Sequence, residues 1–261
     1  MKPGFFELLL LGILVTSGNI LGGLILFPSG IYRKLKPFLN YLLALSAGFM
    51  ISVIFVEILP RIETLRKQTE EPIFSSMILF LAGYMVTQFF EHTIAPHFHL
   101  GGELSGENLI STRTAYTAIA GLTVHTFFDG VSISAVSVLD YKAGLLVFIA
   151  VFMHKIPEGF TIASIVLAAG KSYREVLIAT GVIGLTTFLG VVVFMLLGDK
   201  NASFISFALP FAGGITLYVA ASDLIPEVNH HGGKNPLVSL SVFAGVAMFF
   251  ILHNLLDLIS D

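Results

Sequence analysis

Residues 154–159 read HKIPEG and stand inside AGLLVFIAVFMHKIPEGFTIASIVLAAG (143–170), a run otherwise apolar enough to cross a bilayer. An imidazole, an ammonium and a carboxylate near the middle of a span each cost roughly 2.5–3.5 kcal/mol on insertion scales, and such groups usually mark a pathway. A second stretch, HTFFDG at 125–130, has the same form, His-x-x-x-acid-Gly. Residues four apart share one face of a helix. His125 therefore stands with Asp129, and His154 with Glu158. Imidazole nitrogens and carboxylate oxygens are the ligand set for Zn²⁺, Fe²⁺, Mn²⁺, Co²⁺ or Cd²⁺. Two such helices packed face to face offer four ligands. The competing reading is a polar network that fixes helix packing. Four ionisable groups in matched pairs favour a cation site over that reading.

The rest of the chain supports a membrane setting. Of 261 residues, 55% are hydrophobic and only 12% charged, with a mean hydropathy of +0.89, which leaves too little polar surface for a soluble protein of this length. Apolar runs of about the length needed to span the hydrocarbon core fall near 5–27, 38–60, 72–94, 114–138, 142–168, 173–197, 203–226 and 237–259. The expected fold is an all-α integral membrane protein of eight transmembrane helices, a single domain over 1–261. Continuous runs of this length exclude a transmembrane barrel. The first run is read as a span rather than a cleaved signal, because FPSGIYRK follows it where a small-residue cleavage site would stand. Lysines and arginines nearly balance between alternate loops, so charge alone gives little orientation. With no cysteine, thiolate ligands are excluded. Nothing in the sequence points to nucleic-acid binding.

Several residues elaborate the central pair. Pro157 removes a backbone donor, freeing the carbonyl of Met153 and bending the helix. Lys155 points away from His154 and needs a carboxylate, Asp129 or Glu91; alternatively its charge stands where a second cation would bind. Met50 is a soft ligand candidate in span 2. Glu57, Glu91, His92, Asp223 and Glu227 are expected along entry or exit routes. Gly48 and Gly214 each stand twelve residues before a proline, Pro60 and Pro226, with Glu57 and Asp223 three before it. That echo suggests that spans 1–3 and 6–8 are inverted repeats flanking spans 4 and 5. The loop over 95–113 carries His97 and His99, a tract of the kind that holds divalent metals weakly.

Taken together, HTFFDG, HKIPEG, PFAGGITLYVAASDLIPEV (210–228) and FFEHTIAPHFH (89–99) resemble the ZIP (Zrt/Irt-like) family of divalent metal transporters. The resemblance implies a 3+2+3 arrangement, both termini outside the cytoplasm of a multi-pass protein in the cell membrane, a homodimer, and uptake of zinc, iron, manganese or cadmium. It makes His125, Asp129, His154 and Glu158 the transport site and Met50 an additional ligand. The divalent ion is then substrate, with no cofactor needed, and the protein is not an enzyme. Thr126, Lys155, Thr187 and Phe188 depart from the family pattern, and the missing span 6 carboxylate together with Lys155 favours one metal rather than two. The expected mechanism is alternating access or an elevator-like movement of spans 4 and 5. The alternatives are a metal sensor or receptor that does not transport, and an intramembrane metal-dependent hydrolase.

Overall fold

The computed structural model describes residues 4–25, 31–94, 111–198, 202–232 and 235–260. These form α1 (Phe5–Leu24), α2 (Ile31–Val53), α3 (Leu59–Thr69), α4 (Ile73–Phe89), α5 (Thr112–Leu139), α6 (Tyr141–Ala168), α7 (Tyr173–Gly198), α8 (Ala202–Tyr218), α9 (Ile225–Gly232) and α10 (Pro236–Ser260). Among the described residues, seven stretches are long and apolar enough to cross a membrane, and Ile73–Phe89 is a shorter apolar helix that a π-helical turn carries on to Ile94. The chain is an all-α, multi-span membrane protein. Of the His-containing loop, residues 95–110 with His97 and His99 lie outside the described residues. Its end is the start of α5, where the Ser111 hydroxyl accepts from the Thr114 amide at 3.1 Å.

Among the described residues, three π-helical turns interrupt the helices: Ile54–Ile58 between α2 and α3, Phe90–Ile94 after α4, and Val219–Leu224 between α8 and α9. The first and last stand just before Pro60 and Pro226. Proline donates no hydrogen bond and crowds the carbonyl four residues back, and a widened turn absorbs that misfit. Glu57, Glu91 and Asp223 each fall within one of these turns. By contrast, α6 remains an α-helix through Pro157.

Glycines set the closest helix crossings. A Cβ on Gly22 or Gly159 would lie 2.1 or 2.0 Å from a carbonyl oxygen of the facing helix, so α1 and α6 meet backbone to backbone. Reciprocal pairs do the same for α5 with α7 (Gly130, Gly190), α2 with α10 (Gly48, Gly245) and α4 with α8 (Gly83, Gly214). Small residues of this kind let membrane helices gain dispersion and weak polar contacts where lipid supplies no hydrophobic drive. The pairs assemble into two groups: α1, α5, α6 and α7 in one, and α2 to α4 with α8 to α10 in the other, meeting mainly through α6 on α2 and α5 on α8. The α5–α6 hairpin is thus embedded with α1 and α7 rather than standing as a pair against everything else. Phe6, Phe74, Leu196, Phe243 and Leu258 point outward, an apolar surface suited to lipid.

The hairpin has short, well-capped joints. Asp140 alone connects α5 to α6, and its carboxylate accepts from the Lys142 and Ala143 amides at 3.0 and 3.3 Å. At the other end Gly170 takes a left-handed φ of 72°, while its amide and that of Lys171 bond back to Leu167 and Val166 at 2.9 and 3.2 Å. That pattern closes the last turn of a helix and needs a residue without a Cβ penalty.

Candidate metal centre

The two sequence motifs meet deep inside the α5–α6 interface. His125 and Asp129 come from α5, His154 and Glu158 from α6, and the side chains of all four are at most 9% exposed. Their closest approaches run between the helices rather than along them. His125 Nε2 is 3.3 Å from Glu158 Oε2, and His154 Nε2 is 3.4 Å from Asp129 Oδ2. Within α6, His154 Nε2 and Glu158 Oε2 are 3.8 Å apart. A tetrahedral ion with N and O ligands at about 2.0–2.2 Å separates neighbouring ligand atoms by about 3.3–3.6 Å. The spacing therefore suits a small divalent ion, and ligand atoms of His125, Asp129 and Glu158 all lie within 4.8 Å of one another.

The surroundings orient both imidazoles. His154 Nδ1 is 3.1 Å from the Ala150 carbonyl oxygen, which only accepts, so Nδ1 carries the proton and Nε2 presents its lone pair. His125 Nδ1 lies 2.7 Å from Glu91 Oε1, which places its proton there in the same way. A carboxylate or carbonyl behind a ligand imidazole fixes its tautomer and raises its basicity. The Asn19 side chain of α1 donates from Nδ2 to Glu158 Oε1 at 2.9 Å. Lys155 is fully buried and bridges the two carboxylates, with Nζ 2.7 Å from Asp129 Oδ2 and 2.8 Å from Glu158 Oε2. Of the two partners expected for it, Asp129 is engaged, and Glu158 takes the role considered for Glu91.

The remaining candidates divide between the two ends of the bundle. Glu91 reaches His125, and Asp223 stands beside Glu91, with Glu227 near enough to act on Asp223. Only the backbone of His92 is described, in the turn that holds Glu91. Glu57 is buried toward the opposite end, where its Oε2 accepts from Arg61 and its Oε1 is 2.7 Å from His253 Nδ1. Arg61 also donates to Asp140 at 2.6 Å, and Lys142 to Asp257 at 2.8 Å. At Asp140, partial burial opposes the charge, but the Arg61 hydrogen bond and positive charge outweigh it and hold the carboxyl below its usual range. Met50 is fully buried in the apolar core with Val53 and Ile54. Thr187, where the family pattern has glutamate, is buried with a hydroxyl that finds no partner among the described residues.

Sequence reasoning passed over Asn19, Arg61 and Asp140. Asn19 had a visible signal, an amide amid TSGNILGG in an apolar span. Arg61 and Asp140 look like ordinary span-end charges, and only the packing brings them together.

Comparison with known proteins agrees with this geometry. A family model described as ZIP Zinc transporter matches residues 101–253, more than half of the chain and all of the α5–α6 motif region. Human Zinc transporter ZIP4 is 31% identical over 139 residues, covering 53% of this chain and 20% of that protein. Human Zinc transporter ZIP10 is 27% identical over 137 residues, 52% of this chain and 16% of its own length, and mouse Zinc transporter ZIP4 is 30% identical over 141 residues, 53% and 19%. The match takes in a fifth or less of the length of each of these relatives. With its paired His-x-x-x-acid motifs buried against each other inside a helical membrane bundle, the chain belongs to the ZIP family.

Proposed function

We propose that this protein carries a divalent metal ion, zinc first among them, across the membrane through a single-metal site made by His125, Asp129, His154 and Glu158. The observation that carries this reading is the convergence of ligand atoms of His125, Asp129 and Glu158 within 4.8 Å of one another, with His154 Nε2 3.4 Å from Asp129 Oδ2 and 3.8 Å from Glu158 Oε2. The similar human proteins are named as zinc transporters, which supports that choice of ion. The N and O donors equally suit Fe²⁺, Mn²⁺ and Cd²⁺. Met50 is proposed as an added soft ligand when the site loads. Glu91, Asp223, Glu227 and His92 would form the route at one end, and Glu57 at the other. With both termini outside, the first of these ends faces the cytoplasm, the direction in which a negative-inside potential draws cations.

The mechanism we favour is elevator-like alternating access. The four liganding side chains all belong to one helix group, which supports a moving body of α1, α5, α6 and α7 rather than the hairpin alone. The 3+2+3 inverted repeat is proposed with it, supported by two matching punctuations: Gly48 and Gly214 each sit at a close crossing, followed by a π turn with its acid and then a proline. The homodimer is proposed on the family resemblance. A non-transporting sensor is the second reading, favoured by the Lys155 ammonium that lies across both carboxylates.

Flux into proteoliposomes decides between them. Saturable Zn²⁺ uptake, lost in both His154→Ala and Glu158→Ala, is the expected result, whereas metal binding without flux would establish the sensor. Protons compete with the ion for the imidazole lone pairs, so uptake falls as the pH is lowered. A flux unchanged between about pH 7.5 and 5 would exclude these histidines as ligands.

A further inference from the structure

The oxygens that Lys155 holds are the same ones that face the imidazoles: Asp129 Oδ2 toward His154 and Glu158 Oε2 toward His125. An ammonium and a divalent ion cannot both occupy that space, so an arriving ion displaces Nζ. Lys155 is 0% exposed, and a displaced charge needs an acceptor inside the protein.

Asn19 supplies one. It is 0% exposed, and its Nδ2 donates to Glu158 Oε1, the other oxygen of the carboxylate that Lys155 holds. Its own Oδ1 is buried with no hydrogen bond from any described residue. Buried side-chain acceptors are nearly always satisfied, and one left unpaired inside a polar cluster calls for an explanation. The lysine stem already starts against the helix that carries Asn19, since a Cβ on Gly18 would lie 3.1 Å from Lys155 Cβ. Its four-carbon stem turns freely enough to reach either partner.

We propose that Asn19 is a positioning residue of the metal centre, whose Oδ1 receives the Lys155 ammonium when a divalent ion takes its place between Asp129 and Glu158. The inference rests on the transport-site reading above. Lys155 is then a tethered competitor. It holds the carboxylates together without metal, weakens metal binding to a releasable level, and returns as the ion leaves. No covalent step is involved; one cation replaces another.

Cobalt titration of the purified full chain tests this, read by the visible absorption of tetrahedral Co²⁺. Lys155→Met removes the competitor while keeping bulk, and should bind Co²⁺ at least about tenfold tighter than the natural protein. Asn19→Ala should weaken binding about tenfold in the Lys155 background, the cost of a charge left without its acceptor. In the Lys155→Met background the same change should cost no more than about threefold, the loss of the Nδ2 bond to Glu158 alone. Equal losses in both backgrounds, or Lys155→Met binding no tighter, would overturn the exchange. If Asn19→Ala does not fold, Asn19→Ser keeps an oxygen acceptor and should show a smaller loss with the same dependence on Lys155. No Co²⁺ spectrum in either the natural protein or Lys155→Met would overturn the transport site itself, a result distinct from the failure of the exchange.

Discussion

Two charge clusters in this molecule differ in which helices they join. The candidate metal centre draws His125, Asp129, His154, Lys155, Glu158 and Asn19 from α1, α5 and α6, all in one helix group, and Glu91 reaches in from the other. The cluster around Glu57 is built the other way. Its Arg61–Asp140 and Lys142–Asp257 bonds tie α3 and α10 to the α5–α6 hairpin across the boundary between the groups. Bonds within a group persist if the groups slide past each other, whereas bonds across the boundary have to break. The first arrangement suits a carried site, and the second suits a latch on one state.

Arg61→Ala strikes hardest at the latch. It leaves the Glu57 carboxylate, only 2% exposed, with His253 as its remaining partner. Removing one member of a buried pair costs about 3 kcal/mol or more. Thermal unfolding in detergent should show that loss, and Glu57→Gln with Arg61→Met should recover most of it. Flux through the Arg61→Ala protein should rise if the latch restrains movement, and an unchanged flux would remove the contrast between the clusters.

Glu91→Ala probes a contact by which the candidate centre crosses the boundary. Losing the group that orients a ligand imidazole typically costs about 10–100-fold in metal affinity. The expected result is a loss in that range by isothermal titration, with the helical content unaltered. An affinity equal to that of the natural protein would mean that Ala150-type backbone support suffices for His125 as well.

Lys142→Ala should have the smallest effect. The side chains of Lys142 and Asp257 are 36% and 51% exposed, and such pairs contribute at most about 1 kcal/mol. A shift of several degrees in melting temperature, surviving at high salt, would show that this pair belongs to the latch in earnest.

Much of the centre was legible because a membrane span has so few reasons to hold ionisable groups. His-x-x-x-acid at 125–129 and 154–158 announces one helix face in each span, and the glycines that follow both acids announce close packing; Gly130 and Gly159 indeed sit at backbone crossings. Pairing was not legible. The i,i+4 rule joins His125 to Asp129, yet the shorter approaches are crosswise, to Glu158 from His125 and to Asp129 from His154. Glu57 and Asp223 look alike, each three residues before a proline, and both lie in π turns. One is nevertheless held by arginine and histidine, and the other stands beside a second acid.

The amino-acid sequence by itself determined the membrane-spanning helices, the candidate ligand types and the faces that present them. Those follow from hydropathy over about twenty residues and from the 3.6-residue period, both local properties of the chain. Tertiary structure decided that Lys155 meets Asp129 of the facing helix, that the Asn19 side chain of the first helix reaches Glu158, and that Arg61 meets Asp140 from 79 residues away. Those are partnerships between distant segments, chosen by how glycine crossings bring the helices together, and no local pattern records them.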